Sequence, residues 1–269
     1  MARRLDQEDG SSSEQSDELR LTLGEHLEEL RVRIFRIAAV IAVGMVAGWF
    51  LVVPVYDHFI KMVKSSLPKD FEFTTAWSSL SEPFMFQLKL ALVLGLVVTI
   101  PITVMQLWGF IKPGLKPHER KPLQRVVPIS LVLFAFGCLL GYTILPVTYQ
   151  WFAGMSSQFK GSIIIQSPSE IVLFSAKMML AFGIGFQLPI IVFFLTKLGI
   201  ITPEAITRYW RQAAVGVFTA AAIITPSGDL FSMTLMGLPM VILTFASIGA
   251  ARLTMKDRDG SGDVLNSLD

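Results

Sequence analysis

Six long apolar stretches separated by short polar segments dominate this chain. They cover about residues 34–54, 83–110, 122–147, 169–197, 209–225 and 230–251. Each approaches the ~20 apolar residues that a helix needs to cross a bilayer. The pattern therefore predicts an all-α polytopic membrane protein, with six transmembrane helices in one membrane domain over residues 21–251.

The two ends of the chain differ from this domain. Residues 1–20 are rich in Ser, Asp, Glu and Gln, and residues 252–269 are again polar, so both segments are predicted to be disordered. The first ~33 residues hold no apolar region of the kind that a cleavable signal peptide needs. Just before the first span, apolar side chains recur at helical spacing, at Leu23, Leu27, Leu30 and Ile34. This spacing predicts an amphipathic helix that lies on the membrane surface and runs into the first span.

The predicted spans are uneven in length. At 1.5 Å per residue, the span at 169–197 is roughly 43 Å long and the span at 209–225 roughly 25 Å. Since the hydrocarbon core is about 30 Å thick, the longer span must tilt or project. The shorter one indicates either a locally thinned bilayer or a boundary displaced by a few residues. Prolines inside spans predict kinks, at Pro101, Pro128, Pro189 and Pro239.

Charge separates the two sides of the predicted domain. Hydrophobic residues make up 52% of the chain and charged residues only 16%, which is below the roughly 25% of typical soluble domains. Fifteen Lys and Arg residues lie near span ends on the side of the membrane that holds the N-terminus. Four lie on the opposite side, at Lys61, Lys64, Lys69 and Lys160. Because cytoplasmic loops carry the excess of Lys and Arg, both termini and the 111–121 loop are predicted to be cytoplasmic.

Several classes of function are excluded because the sequence lacks the motifs and residue types that they require. The chain has no GxxxxGK[ST] motif for nucleotide phosphates, and His26, His58 and His118 all lie outside the predicted spans. An intramembrane hydrolase therefore lacks its general base or its zinc ligands. No Cys, His and carboxylate cluster has metal spacing, and the basic residues form no stripe with aromatic side chains. We predict no catalytic residue, no cofactor, no metal and no nucleic-acid partner.

Two carboxylates at the predicted cytoplasmic face are candidates for binding. Glu29 lies on the amphipathic helix, and Glu119 lies in the loop at 106–120. A carboxylate accepts two parallel hydrogen bonds from an arginine, whose planar guanidinium fits it better than a lysine ammonium does. The residues alone also allow a local role, in which Glu29 pairs with Arg33 one turn away and Glu119 pairs with a neighbouring cation.

Four further polar residues lie in or beside the spans. Glu170 and Lys177 are seven residues apart on one face of the fourth span, and Gln187 lies further along it. A charge near mid-bilayer costs ~2.5–3.5 kcal/mol on insertion scales, so it is usually functional or paired, although Lys177 could also snorkel to the interface. Asp229 lies at the tip of the last hairpin, where it is either a functional group or the N-cap of the sixth span.

Four motifs along the chain point to a family. They are HLEELR at 26–31, QLWGF at 106–110 with PGL at 113–115 and HER at 118–120, AFGIGFQLP at 181–189, and Thr225-Pro226 with Asp229 and Leu238-Pro239. In this order, over residues 22–251, they resemble the TatC family, the membrane core of the twin-arginine protein translocase.

The resemblance implies a fold and a function. The family fold is a concave, cupped arrangement of six helices, of which the fifth and sixth are short, with both termini in the cytoplasm. The family moves folded proteins across the bacterial plasma membrane or the thylakoid membrane without the Sec pathway, and the proton-motive force drives this transport. The resemblance thus implies a translocase of the bacterial plasma membrane and not an enzyme.

The resemblance also implies binding residues and partners. The residues expected to contact the twin-arginine signal peptides of folded substrates are Glu29, Glu119, Arg31, Phe110, His118 and Arg120. TatA- and TatB-type single-span proteins are expected to dock near the fifth and sixth spans, and further copies of the chain and membrane lipid complete the expected partners. The residues expected at intramembrane or partner contacts are Glu170, Lys177, Gln187, Thr225 and Asp229.

Two positions depart from the family pattern. Many relatives carry a glutamate where this chain has Gln187, and a glutamine does not ionise, which argues against a proton-coupled role there. Met233 stands where some relatives carry a polar residue that binds a partner.

A secondary transporter of a small solute is the alternative function. Such a protein would favour internal repeats, broken helices and binding residues at mid-membrane. The two three-span halves of this chain show no convincing repeat, and the candidate acids are predicted to be cytoplasmic.

Overall fold

The computed structural model describes the backbone of residues 23–68, 73–112, 120–159 and 164–266, and the side chains of 24–68, 73–112, 126–159 and 164–252. Eight helices and two short strands follow one another in these residues. The helices are α1 Leu23–Ser66, α2 Glu82–Ile111, α3 Arg120–Ser156, α4 Pro168–Gly185, α5 Gln187–Lys197, α6 Pro203–Arg208, α7 Trp210–Ile224 and α8 Leu230–Asn266, and the strands are β1 Phe73–Thr75 and β2 Ile164–Gln166.

Five helical segments of the described chain are long and apolar enough to cross a membrane. They are Gly24–Ser66, Glu82–Ile111, Val126–Ser156, Pro168–Lys197 and Leu230–Arg252. The fourth of these combines α4 and α5, and α7 is a shorter apolar helix. The prediction of an all-α polytopic membrane protein is confirmed.

The first helix is longer than predicted. α1 runs for 44 residues and includes the amphipathic segment and the first span without a break. At 1.5 Å per residue it is about 66 Å long. The expected end of the span at Pro54 is wrong, because the helix continues through Pro54 to Ser66. A proline removes one backbone donor, and packing against neighbouring helices compensates for that loss.

Only one of the four prolines inside the predicted spans lies beside a break in a described helix. α4 ends at Gly185 and α5 begins at Gln187, with Phe186 between them. Pro189 is the third residue of α5 and has no N–H to donate to the carbonyl of Gly185. The other three lie inside uninterrupted helices, at Pro101, Pro128 and Pro239.

The last two spans differ in length. α7 has 15 residues, or about 22 Å, so the short fifth span is confirmed and does not result from a displaced boundary. The sixth span covers 23 residues from Leu230 to Arg252, or about 34 Å, so the prediction that it is short is wrong. Thinning of the bilayer around α7 stays a prediction.

The chain ends bear on the predicted disorder in different ways. α8 continues past its span to Asn266, and the disorder predicted for residues 252–269 stays a prediction. Residues 1–20, the other predicted disordered segment, lie outside the described residues.

A pair of three-residue strands is a feature that the apolar pattern does not predict. β1 and β2 pair in parallel, with Thr74 opposite Ile165. Strands this short have too few positions to show an alternating pattern. Beside them, the Glu82 carboxylate accepts hydrogen bonds from the Ser167 hydroxyl and from the backbone N–H of Ser78. Because Glu82 begins α2 and Ser167 caps α4, these bonds tie the starts of two spans together.

α1 and α2 pack with their backbones in contact. An added Cβ at Gly95 would lie 2.6 Å from the backbone nitrogen of Met45, and one at Gly48 would lie 2.5 Å from the carbonyl oxygen of Ala91. Small residues allow helices to approach this closely. Gly44 and Gly48, which match GxxxG, therefore serve packing within the chain.

We predict that Gly95→Ala destabilises the protein by about 1–3 kcal/mol, the usual cost of overpacking. The new Cβ would meet backbone atoms of α1, which cannot rotate away as a side chain can. Thermal unfolding of the purified protein in detergent measures the change. Gly249→Ala is the matched control, because its Cβ meets no atom within 4 Å. Equal melting temperatures for the two variants would contradict the backbone contact.

Candidate functional site

The candidate site lies where the start of α1 meets the end of α2. Five side chains form it, and we call them the Glu29 cluster: His26, Glu29, Arg33, Gln106 and Phe110. The first three follow one another at spacings of three and four residues, which places them on one face of α1. The other two are four residues apart and share a face of α2 for the same reason.

The Glu29 carboxylate is bound by an arginine of the same helix. Arg33 donates to Glu29 Oε1 from Nε at 3.0 Å and from Nη2 at 2.5 Å. The other oxygen, Oε2, is buried and has no hydrogen-bond partner among the described residues, and His26 Nδ1 lies 3.6 Å from it. The local Glu29–Arg33 pair that the sequence allows is therefore present, and it uses only Oε1 of the two carboxylate oxygens.

Arg33 also joins α1 to α2. Its Nη1 lies 3.3 Å from the backbone oxygen and 3.3 Å from the side-chain oxygen of Gln106. The guanidinium lies against Gly109, where an added Cβ would be 2.6 Å from Nη1. The Arg33 side chain is 21% exposed, so its charge-assisted hydrogen bonds lie in a partly buried site, where they are stronger than at an open surface.

An aromatic contact lies next to the carboxylate. The rings of His26 and Phe110 stack, with centroids 4.4 Å apart and planes at 11°. This contact ties the first turns of α1 to the last turn of α2. A small apolar cluster packs the end of α2 with α3 and α5, and its buried members are Val104, Trp108, Val126, Ile190 and Phe194. The Glu29 cluster is therefore built on helix ends that are fixed by packing.

The structure brings together two of the residues predicted to contact a signal peptide. Glu29 and Phe110 both neighbour His26. Arg31 lies on a different face of α1, where its Nη1 is 3.8 Å from Glu28 Oε1 and its side chain is 68% exposed. Arg31 can therefore meet a ligand at the surface but does not orient the Glu29 carboxylate.

The remaining predicted contacts belong to the segment between α2 and α3. His118 and Glu119 lie outside the described residues, as does the side chain of Arg120, the first residue of α3. α2 ends at Ile111, one residue after Phe110. The placement of Glu119 beside Glu29 stays a prediction.

The polar residues of the fourth span have separate surroundings. Gln187 Nε2 donates to the carbonyl oxygen of Ser130 at 3.0 Å, which joins the start of α5 to α3. Glu170 is exposed and lines a cavity of 390 Å³ between the strands and the ends of α1, α3 and α4. Lys177 is exposed on α4. Seven residues rise about 10.5 Å along a helix, and Glu170 and Lys177 are not paired with each other in the described part of the chain.

The hairpin between α7 and α8 places its two polar residues in local roles. The Oδ1 atom of Asp229 accepts a hydrogen bond from the backbone N–H of Ser232 at 2.7 Å. Asp229 is therefore the N-cap of α8, which was one of its two interpretations. Thr225 is buried, and its hydroxyl donates to the carbonyl oxygen of Ala221 at 2.6 Å. Contact of either residue with a partner stays a prediction.

Sequence reasoning missed how Gln106 and Gly109 serve the site. Both belong to the QLWGF motif, but their contact with Arg33 crosses more than seventy positions and has no local signal. It also missed Glu82, whose place three residues after Ser79 in a Ser-rich segment is a signal for a helix start. Among the described residues, no three His, Cys, Asp or Glu side chains converge as metal ligands would.

Known proteins resemble this chain over most of its length. The family described as Sec-independent protein translocase protein (TatC) matches residues 25–239. A protein of that name from Carboxydothermus hydrogenoformans is 32% identical over 247 residues, which cover 90% of this chain and 97% of that protein. Another from Koribacter versatilis is 34% identical over 231 residues, which cover 85% of this chain and 84% of that protein.

The fold agrees with the sequence comparison. A crystal structure of a twin-arginine translocase receptor, TatC, superposes on this chain with a TM-score of 0.71 at 29% identity, and the match covers 86% of this chain and 100% of that one. The residues that the family matches, 25–239, include the whole Glu29 cluster. The chain therefore belongs to the TatC family of Sec-independent protein translocase proteins.

Proposed function

We propose that this chain is the signal-peptide receptor core of a twin-arginine translocase, which moves folded proteins across a bacterial plasma membrane with energy from the proton-motive force. Membership of the TatC family supports a protein translocase and not a transporter of small solutes. The observation that carries the receptor role is the Glu29 carboxylate, which has one oxygen bound by Arg33 and a second oxygen without a hydrogen-bond partner in the part of the chain that the structure describes.

The chemistry of the Glu29 cluster suits a guanidinium ligand. Each carboxylate oxygen has two lone pairs, so Glu29 can bind a second arginine through Oε2 while Arg33 keeps Oε1. Glu119 would accept the neighbouring arginine of the signal. The other expected contacts at this face are Arg31, Phe110, His118 and Arg120. No covalent bond is made or broken at such a site, so the proposed role is binding and not catalysis.

We place this face in the cytoplasm, with both termini. It carries the cationic helix ends that the charge rule assigns to the cytoplasmic side. One contact supports a shared face for the end of the sixth span and the segment between the fourth and fifth spans: Arg252 Nη2 donates to the carbonyl oxygen of Pro203 at 3.2 Å and to the Thr207 hydroxyl at 2.8 Å. The signal peptide would meet Glu29 at this face before its substrate crosses.

The proposed partners inside the membrane are TatA- and TatB-type single-span proteins, further copies of this chain, and lipid. α7 and α8 support docking there, because apolar side chains such as Val215 and Ile223 are exposed on α7 and α7 is short. The polar residues that could meet such partners are Glu170, Lys177, Gln187, Thr225 and Asp229.

We predict that Glu29→Ala and Glu119→Ala each weaken photo-crosslinking of a twin-arginine signal peptide by about tenfold, the loss expected for one charge-assisted hydrogen bond. Glu28→Ala is the matched control, because Glu28 is 66% exposed and pairs with Arg31 instead. Membrane insertion and the melting temperature of each variant show that the fold persists. Undiminished crosslinking in both test variants would refute the assignment of the site.

A second prediction concerns the type of cation in the signal. Lysine has no planar fork, so replacing both signal arginines by lysines should weaken binding to the natural protein by at least about tenfold. With Glu29→Gln the same replacement should reduce the affinity for the signal peptide much less, because the ionised acceptor is gone. Titration of labelled peptides against the purified protein gives the four dissociation constants. Equal losses for the two proteins would argue against an arginine at Glu29.

A third prediction separates the two interpretations of Asp229. As an N-cap, Asp229→Ala should destabilise the protein by about 1 kcal/mol, while Asp229→Asn, which keeps the capping oxygen, should change stability only slightly. Thermal unfolding in detergent measures both. If transport falls with Asp229→Asn while the melting temperature is unchanged, the charge serves a partner contact in addition to the cap.

A further inference from the structure

We propose that Arg33 is the residue that positions Glu29 for the signal peptide: it binds Oε1 and so leaves Oε2 as the acceptor for a signal arginine. The proposal rests on the receptor function above and adds a residue and a geometry to it. It also assigns a role to Gly109, which lies in the QLWGF motif and makes the position of Arg33 possible.

The first argument is the way Arg33 distributes its donors. Nε and Nη2 bind Glu29 on α1, and Nη1 binds Gln106 on α2. A guanidinium is planar, so these bonds fix the Glu29 carboxylate relative to both helices at once. A lysine ammonium has no such fork and cannot hold the carboxylate and Gln106 in the same relative orientation.

The second argument is the state of Oε2. Buried carboxylate oxygens normally have hydrogen-bond partners, and leaving one without a partner costs free energy. Oε2 has none among the described residues, and His26 Nδ1 lies 3.6 Å from it, in a ring stacked on Phe110. A guanidinium that displaces this ring would supply the missing donor. Arg33 therefore occupies Oε1 of Glu29, while Oε2 is available to accept a hydrogen bond from a ligand.

The third argument is the space that Gly109 leaves. An added Cβ there would lie 2.6 Å from Arg33 Nη1 and 3.3 Å from Cζ, and its three nearest neighbours are all atoms of this guanidinium. These atoms are the far end of a flexible side chain, which can move without a shift of the helices. Gly109→Ala therefore displaces the Arg33 guanidinium without removing any charged group from the cluster.

The opposite role for Arg33 gives the opposite result. If Arg33 competed with the signal peptide for Glu29, displacing it would strengthen binding. If it positions Glu29, displacing it weakens binding of an arginine signal and has little effect on a lysine signal, which does not use the fork. The sign of the change in affinity therefore distinguishes positioning from competition.

The test uses the purified full-length protein in detergent and a fluorescent signal peptide with either two arginines or two lysines at the motif. We expect Gly109→Ala to weaken binding of the arginine peptide by about tenfold, the cost of one misplaced charge-assisted hydrogen bond, and to leave the lysine peptide unchanged. Gly24→Ala on α1 is the matched control, since its Cβ meets no atom within 4 Å, and it should bind both peptides as the natural protein does.

A second variant keeps the result independent of folding. Arg33→Lys keeps the charge and loses the fork, so it should reduce the preference for the arginine peptide as Gly109→Ala does. Combining the two changes should add little to either one, because both act through the same guanidinium. Melting temperatures report the fold separately, and a merely structural role would lower them without changing the ratio of the two dissociation constants.

The outcomes separate this proposal from the receptor function. If the natural protein does not prefer the arginine peptide, the receptor function itself fails. If it does, and Glu29→Gln abolishes the preference while Gly109→Ala and Arg33→Lys keep it, then Glu29 binds the signal without positioning by Arg33. Tighter binding by Gly109→Ala would overturn the proposal in favour of competition.

Discussion

Gly95 on α2 lies against Gly44 on α1, with the backbone atoms of the two helices in contact. This approach sets the register of the two helices. Eleven residues back along α1 and eleven residues forward along α2, or about three turns, the same register brings Arg33 to Gln106. A bulkier residue at the glycine contact would move α2 as a whole, so the position of the binding cluster depends on a contact roughly 16 Å away in the middle of the membrane.

The same register places the charged Arg33 side chain in a partly buried site, where it needs hydrogen-bond partners. A partly buried guanidinium and carboxylate lose hydration, and their attraction repays that loss only when the remaining donors are also bonded. Gln106 supplies acceptors from both its backbone and its side chain, so the arginine is well bonded. Among the described residues, the carboxylate accepts hydrogen bonds through one oxygen only. This asymmetry makes Glu29, rather than Arg33, the member of the pair that can accept a ligand.

The far end of the molecule is organised differently. There Ser167 caps α4 and Asp229 caps α8, while Glu82 joins the starts of α2 and α4 through its contact with Ser167. Together with the parallel strands β1 and β2, these contacts order the connections between spans. At the end that carries Glu29, the helix ends instead meet through an ion pair, a ring stack and an apolar cluster.

The sequence by itself determined the membrane class and the six apolar segments, because these depend on composition, and it offered the short fifth span and the local Glu29–Arg33 pair as one of two interpretations each. Its expectations that the first span ends at Pro54 and that the sixth span is short were wrong, since neighbouring helices decide whether a proline or a polar end interrupts a helix. The helix does break beside Pro189, one of the predicted kinks. Only the tertiary structure decided that Arg33 reaches Gln106 across Gly109 and that Oε2 has no hydrogen-bond partner among the described residues. Contacts between residues far apart in sequence depend on helix register, and a single sequence carries no local signal for it.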